Sequence, residues 1–219
     1  EGLPTVTRNA INPFGDSSEL ALYKFEDDAT DAEGNYDATS SPNVTYASGY
    51  IDKAAVFNGS SSKIEIGTGI NSAISSGGFA ISWWQKTTQP DSSATYTFDN
   101  SSGGANNGLY IVTHTNSTGL IVGFKNSNTH SIIIPYSSSE RTNWVHFVFT
   151  WDGTTNANAF QLYKNNSLNS NTSSVTNTTA QSPFDVGEQG GTYFGGSIDQ
   201  LRIFNRALDS GEVTALYNE

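Results

Sequence analysis

Six carboxylates fall within twelve residues: Glu26, Asp27, Asp28, Asp31, Glu33 and Asp37. Oxygen ligands at that density suit Ca2+, a hard cation that takes about six to eight oxygens and tolerates a flexible acidic loop. A plain solvated loop is the alternative and accounts for most of the six. Asp199 adds weight to a cation site. It opens the last apolar run, and simple alternation puts it on the face of Leu201 and Ile203, pointing inward. A carboxylate there needs hydrogen bonds or a cation to offset its lost hydration.

Aromatic and amide side chains are the second chemistry available. Tyr rings can stack on sugars, and Asn, Asp and Gln bond hydroxyl groups. Tyr96, Tyr110, Tyr136 and Tyr193 could line a groove or simply cap the core. The stretch from Asp99 to His114 joins an Asn/Gly-rich loop to Tyr110, and Asp99, Tyr110 and His114 are its ligand candidates. His114 and His130 have no partner at the spacing of a metal pair. No Gly-x-Ser-x-Gly, His-Glu-x-x-His or phosphate-loop pattern occurs, and the absence of Cys removes thiolate metal sites, disulfides and a Cys nucleophile.

These side chains must be held by strands. Only 14% of the 219 residues are charged, so polarity comes from Ser, Thr and Asn, which favours strands and polar loops over exposed helices. Twelve per cent aromatics is too rich for disorder. A net charge of −11 with no Lys/Arg cluster excludes a nucleic-acid partner, and no apolar run is long enough to insert in a membrane. A first residue that is Glu rather than Met reads as a processed chain or a piece of a longer one.

Short apolar or alternating runs recur at 20–26, 62–66, 79–86, 94–98, 108–113, 119–125, 130–134, 143–151, 159–164 and 198–204, with turn residues between them. In Trp144–Trp151 both alternating faces are apolar, as in a strand covered on both sides. Asp209 with Glu212 three residues on makes a capping box ahead of Val213, Leu216 and Tyr217, so one short helix closes the chain. Residues 165–182 read as an exposed hairpin or loop. Residues 1–18 read as an extended arm or linker and 19–219 as one domain.

Five segments in order resemble the laminin-G-like (concanavalin A-like) jelly-roll domains of bacterial surface and viral proteins. They are Leu20-Ala-Leu-Tyr-Lys-Phe-Glu-Asp-Asp with the loop to Asp37; Gly49-Tyr-Ile-Asp-Lys-Ala-Ala-Val-Phe-Asn-Gly59; Phe79-Ala-Ile-Ser-Trp-Trp-Gln-Lys86; Trp144-Val-His-Phe-Val-Phe-Thr-Trp-Asp-Gly153; and Gly196-Ser-Ile-Asp-Gln-Leu-Arg-Ile-Phe-Asn-Arg-Ala-Leu208. The resemblance implies an all-β, two-sheet antiparallel jelly-roll sandwich with one short C-terminal helix. In that family the first and last strands lie side by side and similar positions often hold a structural Ca2+. By that analogy Glu26, Asp28 and Asp199 are the metal candidates. Gln200 departs from the pattern, since the family often has a second Asp there. The resemblance also assigns His146 and most Phe and Trp to structural positions.

Hydrolases of this fold carry Glu-x-Asp-x-Glu or a near variant on one strand, and no such run occurs here, so an enzyme is not expected. The leading expectation is a non-catalytic carbohydrate-recognition or adhesion module, extracellular, on a virion or bacterial cell surface, with a polysaccharide or surface glycan as partner. The alternative is a phage structural protein, a capsid decoration or tail-fibre domain. Asn12-Pro-Phe-Gly-Asp16 resembles virion-associated versions of the fold, and an arm with few apolar anchors would order against another subunit through residues 1–18.

Overall fold

The computed structural model describes residues 7–75, 77–89, 94–101, 108–114, 119–125, 130–172 and 182–219. Strands and helices are numbered in chain order. One sheet holds β1 (Glu19–Tyr23), β2 (Thr45–Ser48), β3 (Lys53–Asn58), β5 (Phe79–Thr87), β10 (Val145–Trp151), β11 (Phe160–Lys164), β12 (Ser167–Thr172) and β16 (Gly195–Phe204). Its spatial order is β12-β11-β10-β5-β16-β3-β2. On the edge of β16 opposite β5, β3 pairs with residues 195–198 and β1 with residues 201–204.

The second sheet runs β4 (Ile64–Gly67), β13 (Phe184–Val186), β6 (Ala94–Asp99), β7 (Gly108–His114), β8 (Gly119–Lys125) and β9 (His130–Ile134). A small hairpin pairs β14 (Glu188–Gln189) with β15 (Thr192–Tyr193), and all these pairings are antiparallel. This is the two-sheet jelly-roll sandwich that the residues imply. Among the described residues three helices accompany it: α1 (Asn71–Ser75), α2 (Ser138–Arg141) and α3 (Ser210–Tyr217). The first two, of five and four residues, were not legible from periodicity.

The core between the sheets is aromatic. Trp83 meets the edge of Phe98 at 5.1 Å and stacks on Phe147 at 5.4 Å, and Phe149 meets Phe160 edge-on at 4.6 Å. Every residue of β10 is buried. Val145, Phe147, Phe149 and Trp151 face the other sheet, and Val148 on the opposite face meets a second apolar layer with Phe204, Leu208, Val213 and Leu216. That layer places α3 on the outer side of the first sheet. Its capping box forms: Gly211 and Glu212 backbone N–H groups donate to Asp209 Oδ1, and Glu212 Oε2 accepts from Asp209 N.

Residues 7–18 lie on this same outer side. Phe14 sits 5.7 Å from Phe204, and Asp16 pairs with Arg206 at 2.6 Å. Asn9 N donates to Glu219 Oε1, and Asn12 N to Glu19 Oε2 and Glu33 Oε1. The expectation that this arm orders only against another subunit therefore fails for residues 7–18, because its backbone N–H groups and one ring find partners within the chain. The hairpin expected in 165–182 begins as β12, joined to β11 by Asn165-Asn166. Both residues have positive φ, the two-residue turn that Asn favours. Most of its remainder, 173–181, lies outside the described residues.

Candidate functional site

Two places gather polar side chains. The first is a gap in the first sheet. Asp199 and Gln200 sit on β16 between the stretch that pairs with β3 and the stretch that pairs with β1. The chain leaves β1 through Phe25 (φ 60°) and Asp27 (φ 88°) and enters β3 through Asp52 (φ 47°), and Gln200 (φ 47°) forms a bulge. Four non-glycine residues in the left-handed region cost of order 1–3 kcal/mol each, a strain that clusters at functional sites.

The bulge also corrects a sequence expectation. Asp199 pairs with Trp84, and Leu201 returns to the core only because an extra residue intervenes. Asp199 therefore shares the outer face with Trp84, not the inward face with Leu201 and Ile203. It is nonetheless fully buried, beneath the turn at Gly49–Ile51. Its Oδ2 accepts from the N–H groups of Tyr50 and Ile51, both at 2.8 Å, and Oδ1 from that of Gln200 at 2.7 Å. Tyr50 stacks on Trp84 at 3.5 Å and seals the turn down.

Glu26 comes to the same gap. Its Oε2 accepts from Lys53 N at 3.0 Å, whereas Oε1 is buried without a hydrogen-bond partner. A Cβ on Gly49 would fall 2.5 Å from the Lys53 carbonyl oxygen and 2.6 Å from Asp199 Oδ2, so only glycine fits this cradle. Asp28 is not brought in: it is exposed, and its Oδ1 accepts from Thr30 N and Oγ1. Among the described residues no three His, Cys, Asp or Glu side chains gather as a metal site. The residues fit an oxygen-ligand cation through two carboxylates and a backbone carbonyl, with the orphaned Glu26 Oε1 as the clearest open acceptor.

The second place is the outer face of the second sheet, where register makes a row. Glu65 pairs with Asp185, Asp185 with Asp99, Asp99 with Tyr110, Tyr110 with Gly123 and Gly123 with Ser131. Each is flanked along its strand by core residues, so all six face away from the sandwich. Tyr96, Val112, Ile121 and Ile133 form a parallel apolar row one step along, and Ile133 is 50% exposed. Of the sequence candidates, Asp99 and Tyr110 are thus cross-strand neighbours. His114 ends β7 opposite Ala94 and Gly119, and its side chain lies outside what is described.

Lys63 anchors the acidic end, 3.3 Å from Glu65 and 4.0 Å from both Asp185 and Glu188. Burial pushes the Asp185 carboxyl up to about 6, against the pull of Lys63. Burial raises Tyr110 as well, against a hydrogen bond with Ser131. Asp99 accepts from Ser101 N and Oγ at 2.9 Å. Asp99 is engaged by Ser101, whereas Asp185 has Lys63 at 4.0 Å and its buried Oδ1 has no hydrogen-bond partner. No linear motif could reveal this row, because its members come from six strands.

The buried acids set a pH dependence. Burial pushes Asp199 up to about 7, opposed by its three backbone hydrogen bonds, and Asp185 up to about 6, opposed by Lys63. In the folded state these groups hold protons that the unfolded chain, with carboxylates near about 4, has released. Their stabilising contribution is complete below about pH 4 and lost as pH rises through about 7. His146 works the other way. Buried beside Arg202, it is held down to about 3, so acid below about pH 6.5 favours the unfolded chain at this one group. Thermal unfolding in EDTA should therefore improve from pH 8 to about pH 5 and decline in stronger acid. A melting temperature that falls steadily from pH 8 to pH 5 would contradict these assignments.

Both polar sites lie on a two-sheet antiparallel jelly roll. Residues 58–214 match the family model of the concanavalin A-like lectin/glucanases superfamily, and the chain belongs to that superfamily. Among solved structures it is similar to domain 4 of AbnA, a GH43 extracellular arabinanase from Geobacillus stearothermophilus, in complex with arabinotriose. That likeness has a TM-score of 0.75 and 25% identity, and covers 92% of this chain and 98% of that one. It also shares the fold of the botulinum neurotoxin type C structure described as dependent on two ganglioside molecules for cell entry (TM-score 0.71, 17% identity), covering 92% of this chain and 51% of the toxin chain. The binding domain of Paraclostridial Mosquitocidal Protein 1 has the same fold (TM-score 0.71, 18% identity), with 92% and 52% covered. The chain thus spans about half the length of these toxin domains. A search of curated protein sequences finds no match. No helix among the described residues is long and apolar enough to cross a membrane.

Proposed function

We propose that this domain is a non-catalytic carbohydrate-recognition module that acts outside the cell and holds a neutral polysaccharide on the outer face of its second sheet. The observation that carries this reading is the similarity, over nearly the whole of both chains, to an arabinanase domain in complex with arabinotriose. Ser131, exposed at one end of the row, and Glu65, half-buried at the other, offer polar atoms on either side of the buried Asp99 and Tyr110, and the Tyr96–Ile133 row beside it supplies apolar surface for the C–H faces of sugar rings. The carboxylates along the row disfavour uronates and other anionic glycans.

A structural Ca2+ held by Glu26, Asp199 and the Lys53 carbonyl belongs to the same reading. It would offset the strained, carboxylate-lined gap and hold the first and last strands together, remote from the saccharide.

A glycan panel probed in calcium and again in EDTA tests the reading, with release of reducing ends followed on any glycan that binds. Retention of neutral oligosaccharides without cleavage is the expected result. Cleavage would make the domain an enzyme, and a blank panel with folded protein would refute carbohydrate recognition.

A further inference from the structure

We propose that a cleft at the rim of the sandwich is a second saccharide site, one that takes the end of an uncharged chain. This rests on the carbohydrate reading above and adds to it. The cleft is shallow and open to solvent, with a volume of about 380 Å³, at the small end of the range of about 300–1,000 Å³ for ligand sites. Its walls are the turn after β3 (Gly59, Ser60), Gln89 beyond β5, the start of β6 (Ala94, Thr95) and the β14–β15 hairpin (Gly191 to Tyr193). It lies at the opposite end of β6 from Asp99. None of the described side chains that line it is an Asp, Glu, Lys, Arg or His, in contrast to the acidic row on the outer face of the second sheet.

Among the described residues two polar atoms there have no partner. Thr95 is 3% exposed, and its buried Oγ1 makes no hydrogen bond. Folding leaves such a hydroxyl unsatisfied only at a cost, and a ligand hydroxyl would remove that cost. Gln89 donates from Nε2 to the Tyr193 carbonyl at 3.2 Å, which fixes its amide, and its Oε1 accepts no hydrogen bond among the described residues. The backbone is shaped around that amide. A Cβ on Gly59 would fall 2.9 Å from Gln89 Nε2, and one on Gly195 only 2.6 Å away. A donor–acceptor pair, a Tyr ring and no charge among the described residues, in a cleft of this size, suit one end of a neutral saccharide better than an ion or a charged peptide.

The test is calorimetric titration of the whole chain with arabinotriose, for wild type, Thr95→Val, Gln89→Ala and Tyr110→Ala. Thr95→Val removes a hydroxyl that bonds nothing in the protein, so its melting temperature should equal or exceed that of wild type. It should weaken one of two sites about tenfold, because the bound sugar loses a partner. Gln89→Ala should weaken the same site, and Tyr110→Ala only the other. A single site that Tyr110→Ala removes and Thr95→Val leaves unchanged would overturn the cleft while sparing the carbohydrate reading. A marked drop in melting temperature for Thr95→Val would show that the hydroxyl serves the fold, and would also overturn the cleft. If neither arabinotriose nor any neutral oligosaccharide binds wild type, both proposals fall together.

Discussion

Replacing Arg202 with Met should lower the stability of the domain by about 3–5 kcal/mol, more than any other single substitution considered. Arg202 is 1% exposed and lies between two carboxylates that are themselves buried. Its Nη1 reaches Glu19 at 2.6 Å and the Ala10 carbonyl at 2.8 Å, and its Nη2 reaches Glu219 at 2.5 Å. The same carboxylates accept from Asn9 and Asn12, so one guanidinium joins the last strand, the end of α3 and the arm. Met would fill the stem's volume but leave Glu19 and Glu219 buried without a countercharge. Urea unfolding measures the loss. Adding Glu19→Gln and Glu219→Gln to Arg202→Met should recover part of it, because the uncompensated charges then disappear with the guanidinium. A single Arg202→Met variant with an unchanged midpoint would show that the cluster contributes nothing.

The second large effect is that of calcium. An ion bound only by the folded state, at a hundredfold excess over its Kd, stabilises by about 2.7 kcal/mol, or about 5–10 °C for a chain of this size. The increment should be greatest near pH 8 and shrink toward pH 5, since the ion needs the Asp199 carboxylate free of a proton and burial pushes that group up to about 7. Asp199→Ala is a poor probe, because it strips the acceptors from three backbone N–H groups whether or not metal is present. Glu26→Gln separates the two effects. The amide oxygen can still accept from Lys53 N, while the unpartnered Oε1 becomes an NH2 group that cannot ligate a cation. Its melting temperature in EDTA should match that of wild type, and its response to calcium should vanish. A response that survives in Glu26→Gln removes this site.

The strands were legible wherever one strand's own pattern carried the signal. Val145–Trp151 shows it: two apolar faces in sequence, two buried faces in the fold. The Asp209–Glu212 capping box was equally plain, because a cap is a local bond pattern. Asp199 was misassigned to the inward face because alternation assumes an unbroken ladder, and the Gln200 bulge is set by partners elsewhere in the chain. Asp28 was a ligand candidate by analogy with the family's cation site, yet Thr30, two residues on, engages its carboxylate here. The row on the second sheet was half visible. Asp99 and Tyr110 stood out through the loop between them, but Glu65, Asp185, Gly123 and Ser131 join only through strand register, which spacing along the chain does not encode. Thr95 carries no sequence signal at all, since what marks it is a hydrogen bond left unmade.

A neutral saccharide is held, in the proposed reading, on the outer face of the second sheet. Titration of isotope-labelled protein with arabinotriose, followed by backbone amide shifts, tests it most directly. The account predicts shifts concentrated on β6 to β9, at Asp99, Tyr110, Gly123 and Ser131, and a loss of binding at that face of about tenfold or more in Tyr110→Ala. Shifts confined to the opposite sheet, around Tyr50 and Trp84, or an affinity indifferent to Tyr110, would contradict it.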